Sequence, residues 1–145
     1  MARYSIAGRS TVVGTTLRAG VSLFAVAATN GKIRQVSVSN TTSTAFVASL
    51  VRFTALTNVG ADLTENEYDP DGPPPLCLGK AGHTGDGTVG TTIEQASIGA
   101  AIGAGYVWTY GDTGLVIPIG TANGIGIACL SGTGQIFDYT IHWDE

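Results

Sequence analysis

The chain has 145 residues, 43% of them hydrophobic, which suits one domain burying about 68–70% of the surface its unfolded chain exposes. Charged residues make up only 12% against roughly 25% in ordinary soluble proteins, and the 21 glycines follow no three-residue period, which excludes a disordered chain and a collagen helix. No apolar run approaches the ~20 residues of a membrane helix, and Met1-Ala2-Arg3-Tyr4-Ser5 lacks the charged-then-apolar order of a secretory signal. The chain is therefore expected to fold where it is made and to stay out of the membrane.

The net charge of −4 hides an asymmetry. Before Asp62 stand six cations, Arg3, Arg9, Arg18, Lys32, Arg34 and Arg52, and no acid; from Asp62 onward Lys80 faces all 11 acids. Such a split implies either a basic surface for an anionic partner or a chain that pairs its two halves, within one subunit or between neighbours. Spaced arginines on half-exposed strands are otherwise ordinary solvated groups.

In chain order, residues 1–20 carry a weak strand pattern and read as an N-terminal arm, with Arg3, Arg9 and Arg18 interleaved among Tyr4, Ile6, Val12 and Val13. Residues 21–28 (VSLFAVAA) and 32–39 (KIRQVSVS) flank Asn30-Gly31, the dipeptide of a type I′ turn, and are expected to pair as a hairpin. Residues 45–54 are apolar on both parities, with Phe46 and Leu50 on one face and Val47, Val51 and Phe53 on the other, as in a strand buried on both sides. Residues 62–90 include Pro73-Pro74-Pro75 and show no strand pattern; so long a connection is expected to be a projecting arm or a subunit-contact loop, stiffened by its prolines.

Residues 96–105 are the sole helical candidate, but their glycines favour a turn or an adaptable loop. Four β-rich runs follow, 106–110, 115–119, 125–130 and 135–143, separated by turns at 111–114, 120–124 and 131–134. Pro118 lacks an N–H, which puts its run at an edge or bulge. In the last run Phe137, Tyr139, Ile141 and Trp143 share one face and Asp138, Thr140 and His142 the other, one inside and one wet. The predicted fold is all-β, a single-domain β-sandwich of jelly-roll or Greek-key type spanning 21–145, with the 1–20 arm and the 62–90 loop attached.

Candidate chemistry is sparse. Glu67, Asp69 and Asp71 alternate before Gly72 as at the start of a calcium loop, but Leu78 stands where a bidentate Glu is needed and Pro70 restricts the backbone. His83 lies in the loop and His142 near the chain end, each read as structural; Cys77 shares the loop with His83 but has no nucleophile elbow; Cys129 alternates with Ile125 and Ile127 as a buried small residue; and Pro74 breaks the phosphate-loop pattern before Gly79-Lys80. Cys77 and Cys129 are too few for a disulfide scaffold and lack zinc-site spacing, which implies a reducing compartment. Asn40-Thr41-Thr42 is a sequon without a secretory context. The aromatics among the six early cations are only Tyr4, Phe24, Phe46 and Phe53, and the phenylalanines lie in the most hydrophobic runs, so nucleic-acid binding is not expected. The expectation is no enzyme, no metal and no cofactor.

The opening ARYSIAGRSTVVGTTLRAGVSLFAVAATNGKIRQVSVSNTTSTAFVASLVRF and, more loosely, the closing FDYTIHWDE resemble the small head proteins of tailed bacteriophages, in particular the decoration (cement) proteins. The resemblance rests on texture and strand order. It implies a β-sandwich, often a homotrimer, seated on the capsid exterior where subunits of the major capsid protein meet, without catalytic residues, and made in the host cytoplasm. The partner-binding residues are then expected to be Arg3, Arg9 and Arg18 of the arm and Pro73, Pro74 and Pro75 of the loop. The alternative is a carbohydrate- or receptor-binding β-sandwich of tail-fibre or lectin type, stacking its ligand on Tyr106, Trp108 and Tyr110.

Overall fold

The computed structural model describes residues 1–11, 13–56, 60–131 and 135–145, with Leu56 and Ser131 through their backbone alone. The expectations for Val12 and for the turn residues Gly132, Thr133 and Gly134 lie outside the described residues.

The strands are β1 (Arg3–Arg9), β2 (Val21–Phe24), β3 (Lys32–Asn40), β4 (Phe46–Leu56), β5 (Ala61–Asp62), β6 (Asn66–Glu67), β7 (Leu78–Ala81), β8 (Gly87–Ile98), β9 (Gly105–Thr109), β10 (Leu115–Val116), β11 (Gly124–Ser131) and β12 (Phe137–Asp144). They form two antiparallel sheets. In the first the order is β10-β3-β12-β1-β6, with β9 also paired to β3; in the second it is β5-β7-β2-β11-β4-β8. Within these, β9-β3-β12-β1 and β8-β4-β11-β2 are four-stranded units linked by a chain that passes repeatedly from one sheet to the other. That is the doubled Greek key of a jelly roll.

The alternation written into the strands decides which side of each is buried. From β12, Phe137, Tyr139, Ile141 and Trp143 enter the core together with Tyr4 and Ile6 of β1 and Ile33, Val36 and Val38 of β3; from the other sheet come Leu23, Phe46, Leu50, Ile98, Ile125, Ile127 and Cys129. The second face of β4 is also covered, because Val51 and Phe53 pack with Ala128 beneath Ala19. The two-sided apolar pattern of β4 thus has its cause in the segment before β2, which lies against the outside of the second sheet.

Three expectations are corrected. The supposed arm contains β1, which pairs with β12 over its whole length, from Arg3 opposite Asp144 to Arg9 opposite Asp138. Its short apolar alternation looked weak because only Tyr4 and Ile6 point inward, yet both are fully buried. The proposed hairpin across Asn30-Gly31 does not form: β2 pairs with β7 and β11, while β3 pairs with β9, β10 and β12 in the other sheet. Gly31 serves close packing instead, since a Cβ there would lie 2.8 Å from Cys77 Sγ.

The third correction concerns residues 62–90. This segment contains β6 and β7 and the start of β8, and it does not project. It lays β6 beside β1 and β7 beside β2, closing one side of the sandwich. The Tyr4 hydroxyl donates to the Pro73 carbonyl at 2.7 Å, and the Glu145 carboxylate accepts the N–H groups of Leu76 and Cys77. Local propensity was silent because short strands with glycine and proline are recruited by neighbouring edges, a tertiary effect. Likewise residues 96–98 end β8, and only 99–104 form the turn. Pro118 follows β10, which lies at a sheet edge as expected.

Candidate functional site

The early cations are used to join the two ends of the chain. Arg3 Nε lies 2.9 Å from Asp144 Oδ1 and Arg34 Nε lies 2.5 Å from Asp144 Oδ2, while Arg9 pairs with Asp138 and Arg18 with Asp86. Four of the six early cations thus meet acids of the later part of the same chain, Arg3, Arg9 and Arg34 across paired strands. Burial alone would raise the Asp144 carboxyl, but hydrogen bonds from Arg3 and Arg34 outweigh it and hold that group below the usual carboxylate range. Of the six expected partner-binding residues, Arg3 and Pro73 border one common hollow, lined also by Met1, Tyr68 and Gly72; Arg9 and Arg18 sit in their own ion pairs elsewhere.

The outer face of the first sheet carries a trough of about 320 Å³. Its floor is His142 and Gln35, paired across β12 and β3. One wall is Tyr68, whose hydroxyl meets His142 Nδ1 at 2.7 Å above β1. The opposite wall is the turn from Thr109 to Asp112, held by Arg34, which donates to the carbonyls of Gly111 and Asp112. Arg3 lies at the rim. Burial, with help from Arg3, keeps the His142 imidazole below its ordinary value. Sequence alone placed His142 on the wet face of its strand; nothing in it could bring Tyr68 across to that ring.

The two sides of the sandwich are finished differently. The β1/β2 side is capped by β5, β6 and β7, whereas β8 and β9 end their sheets on the other side, among the described residues. Between Glu94 and Asp112 the sequence has no charged residue; the turn from β8 into β9 exposes Ile102 (78%), and β9 itself exposes Tyr106 (49%) and Val107 (50%). Two open strand edges and an uncharged apolar corner thus share one side.

No constellation for nucleophilic catalysis forms around the buried Ser22–His83 pair, whose atoms Oγ and Nε2 are 2.7 Å apart. The Gly60 N–H can only donate, and it donates to Nδ1; His83 is therefore the Nε2–H tautomer and donates to Ser22, the reverse of what base activation of a serine needs. Burial pushes both cysteine thiols up. The acidic run does not converge either. Asp62 pairs with Lys80, Glu65 accepts from the Gly79 N–H and Asp69 from the Asp71 N–H, and among the described residues no group of three His, Cys, Asp or Glu is placed to hold a metal.

The aromatic trio is split: Trp108 is buried in the core at 5% exposure, and Tyr106 is tilted 60° to it, so the flat stacking platform expected from Tyr106, Trp108 and Tyr110 is not there. Asn40 of the sequon is buried, its amide donating to the carbonyls of Thr44 and Gly99. Among the described residues no helix is long and apolar enough to cross a membrane. No protein-family model matches the chain, nor does any curated protein or solved structure.

Proposed function

We propose that this chain is a non-enzymatic structural protein of a bacteriophage head, which joins copies of itself and the outer capsid surface through the side formed by β8 and β9. The observation that carries the reading is that, among the described residues, both sheets end on that side in strands with one free edge, joined by an uncharged turn that exposes Ile102, with Tyr106 and Val107 exposed on β9 beside it. Unpaired strand edges recruit further strands, and natural folds that do not use them blunt them with charge. Here β8 runs for 12 residues with Glu94 as its one charged side chain. Loss of charge and gain of aromatic and apolar groups also mark the cores of protein interfaces.

The resemblance of the opening and closing segments to decoration proteins supplies the partner, the major capsid protein, and the location, the virion exterior. A strand edge that docks on a different patch of the next copy makes a head-to-tail contact, which gives a ring where the rotation between copies closes and a filament where it does not; a trimer is the ring the resemblance implies. Light scattering of the purified protein and co-sedimentation with undecorated heads test this reading. The wild type should form a trimer and pellet with heads, and the double variant Ile102→Asp, Val107→Lys should do neither while keeping its β-sheet circular dichroism. A variant that assembles and binds heads like wild type would overturn the reading.

A further inference from the structure

We infer that the trough on the outer face of the first sheet binds the terminal residue of an acidic glycan, with the sugar carboxylate on Arg3. Three observations meet there. First, the trough is built and held: Tyr68 is tied to His142 at 2.7 Å, and the facing turn is tied to Arg34 through the Gly111 and Asp112 carbonyls. Walls fixed before a ligand arrives lower the ordering cost of binding. Its volume of about 320 Å³ stands at the small end of the ~300–1,000 Å³ range of ligand clefts.

Second, Arg3 has binding capacity to spare. Its Nε is engaged by Asp144, and among the described residues no hydrogen bond takes up its two terminal nitrogens. The Arg3 side chain is half-exposed at 54%, whereas that of Asp144 is nearly covered at 6%. The carboxylate thus orients the fork from the protein side and leaves the outward pair of N–H groups for a second carboxylate, the ligand geometry a guanidinium favours. Third, the remaining lining suits a sugar better than a simple anion. The Gln35 amide, the Thr109 hydroxyl and the His142 ring offer donors and acceptors in the spacing of a sheet surface, and Tyr68, 56% exposed, presents an apolar ring face with a polar tip. A pyranose has that same combination of an apolar face, a rim of hydroxyls and, in uronic and sialic acids, one carboxylate.

The trough opens on the outer sheet face, with Thr109 at the end of β9 as part of its wall, and the head-binding measurement below separates it from the assembly reading. The test uses the full chain on an array of neutral, uronic-acid and sialic-acid glycans, followed by NMR titration with glucuronic acid, N-acetylneuraminic acid and glucose. Retention of acidic glycans with glucose at least tenfold weaker is the expected result. Arg3→Gln should weaken the acidic ligand at least tenfold, Thr109→Val and Gln35→Ala severalfold, and Leu17→Ala, exposed and outside the trough, not at all. Each variant's thermal melt checks the fold, and co-sedimentation of Arg3→Gln with heads should be unchanged, which separates this site from shell attachment. Absence of any glycan binding, equal binding of glucose and the acids, or full affinity in a folded Thr109→Val, Gln35→Ala double variant would overturn the inference.

Discussion

Arg3 and Asp144 are 141 positions apart in the chain and meet at 2.9 Å, as paired residues of β1 and β12. Arg34 reaches the same carboxylate from β3 on the other side of β12, so one acid fastens three adjacent strands near both chain ends. The Ala2 and Glu145 backbones close the same end with reciprocal hydrogen bonds of 3.0 Å each.

The three-way pairing is unequal, and mutation should expose the inequality. Asp144→Ala removes the shared acid and leaves Arg34, whose side chain is only 19% exposed, without a counter-charge; a loss of about 2–4 kcal/mol is expected. Arg3→Ala removes a half-exposed partner while Arg34 still neutralises Asp144, and should cost no more than about 1 kcal/mol. Urea denaturation measures both. Similar values for the two variants would mean that Asp144 does not act as the common anchor.

Acid should loosen the fold through His83. Its imidazole is pushed down to about 4, by burial first and by Lys80 second. The unfolded chain takes up a proton below about pH 6.5, whereas the folded chain resists until about pH 4. Stability is therefore level above pH 6.5 and falls as pH drops from there to 4, by on the order of 3 kcal/mol. His142, lowered for the same reason, adds in the same direction; Asp138 and Asp144, both held low, contribute only as pH falls below the carboxylate range. Urea midpoints at pH 7.5, 5.5 and 4.5 should fall steeply for wild type and less steeply for His83→Asn. Parallel curves would remove His83 from the explanation.

Both cysteines should be inert in the native state. Cys77 and Cys129 are free and buried, and burial pushes each thiol up, so the reactive thiolate is scarce. Aromatic disulfide reagents at pH 7.5 are expected to label neither until denaturant is added, then both, and reductant should leave the melting temperature unchanged. Rapid labelling of the native protein would contradict the packing. At the same place Gly31→Ala should destabilise by about 1–3 kcal/mol, because the new methyl would stand 2.8 Å from Cys77 Sγ.

Removing residues 2–9 should abolish folding, since it deletes β1 and with it the buried Tyr4 and Ile6. A milder probe of the same edge is Tyr4→Phe, which keeps the ring and deletes its bond to the Pro73 carbonyl; about 1 kcal/mol is expected. Limited proteolysis should then cut earlier within residues 68–76. A truncated chain with native circular dichroism would restore the idea of a dispensable arm.

Much of the sandwich was legible along the chain because strand alternation is a local property. The inward set of β12, the two-sided burial of β4 and the place of Cys129 all followed from which residues share a face. The errors have a common origin. Asn30-Gly31 carries the local signal of a hairpin, but the apolar faces of β2 and β3 are buried by facing each other across the core from different sheets, and burial of two whole strand faces outweighs a turn preference.

For the candidate sites the division is sharper. Composition determined that the surface is poor in charge, that the basic and acidic halves are complementary and that residues 95–111 carry no charge at all. Only the tertiary structure decided that Arg3, Arg9 and Arg18 meet acids of their own chain, that Trp108 points inward, and that Tyr68 crosses β1 to reach His142. The physical reason is range. A side chain's face is set by its immediate backbone, whereas its partner is set by the register of strands distant in sequence, and that register is fixed by packing of the whole core.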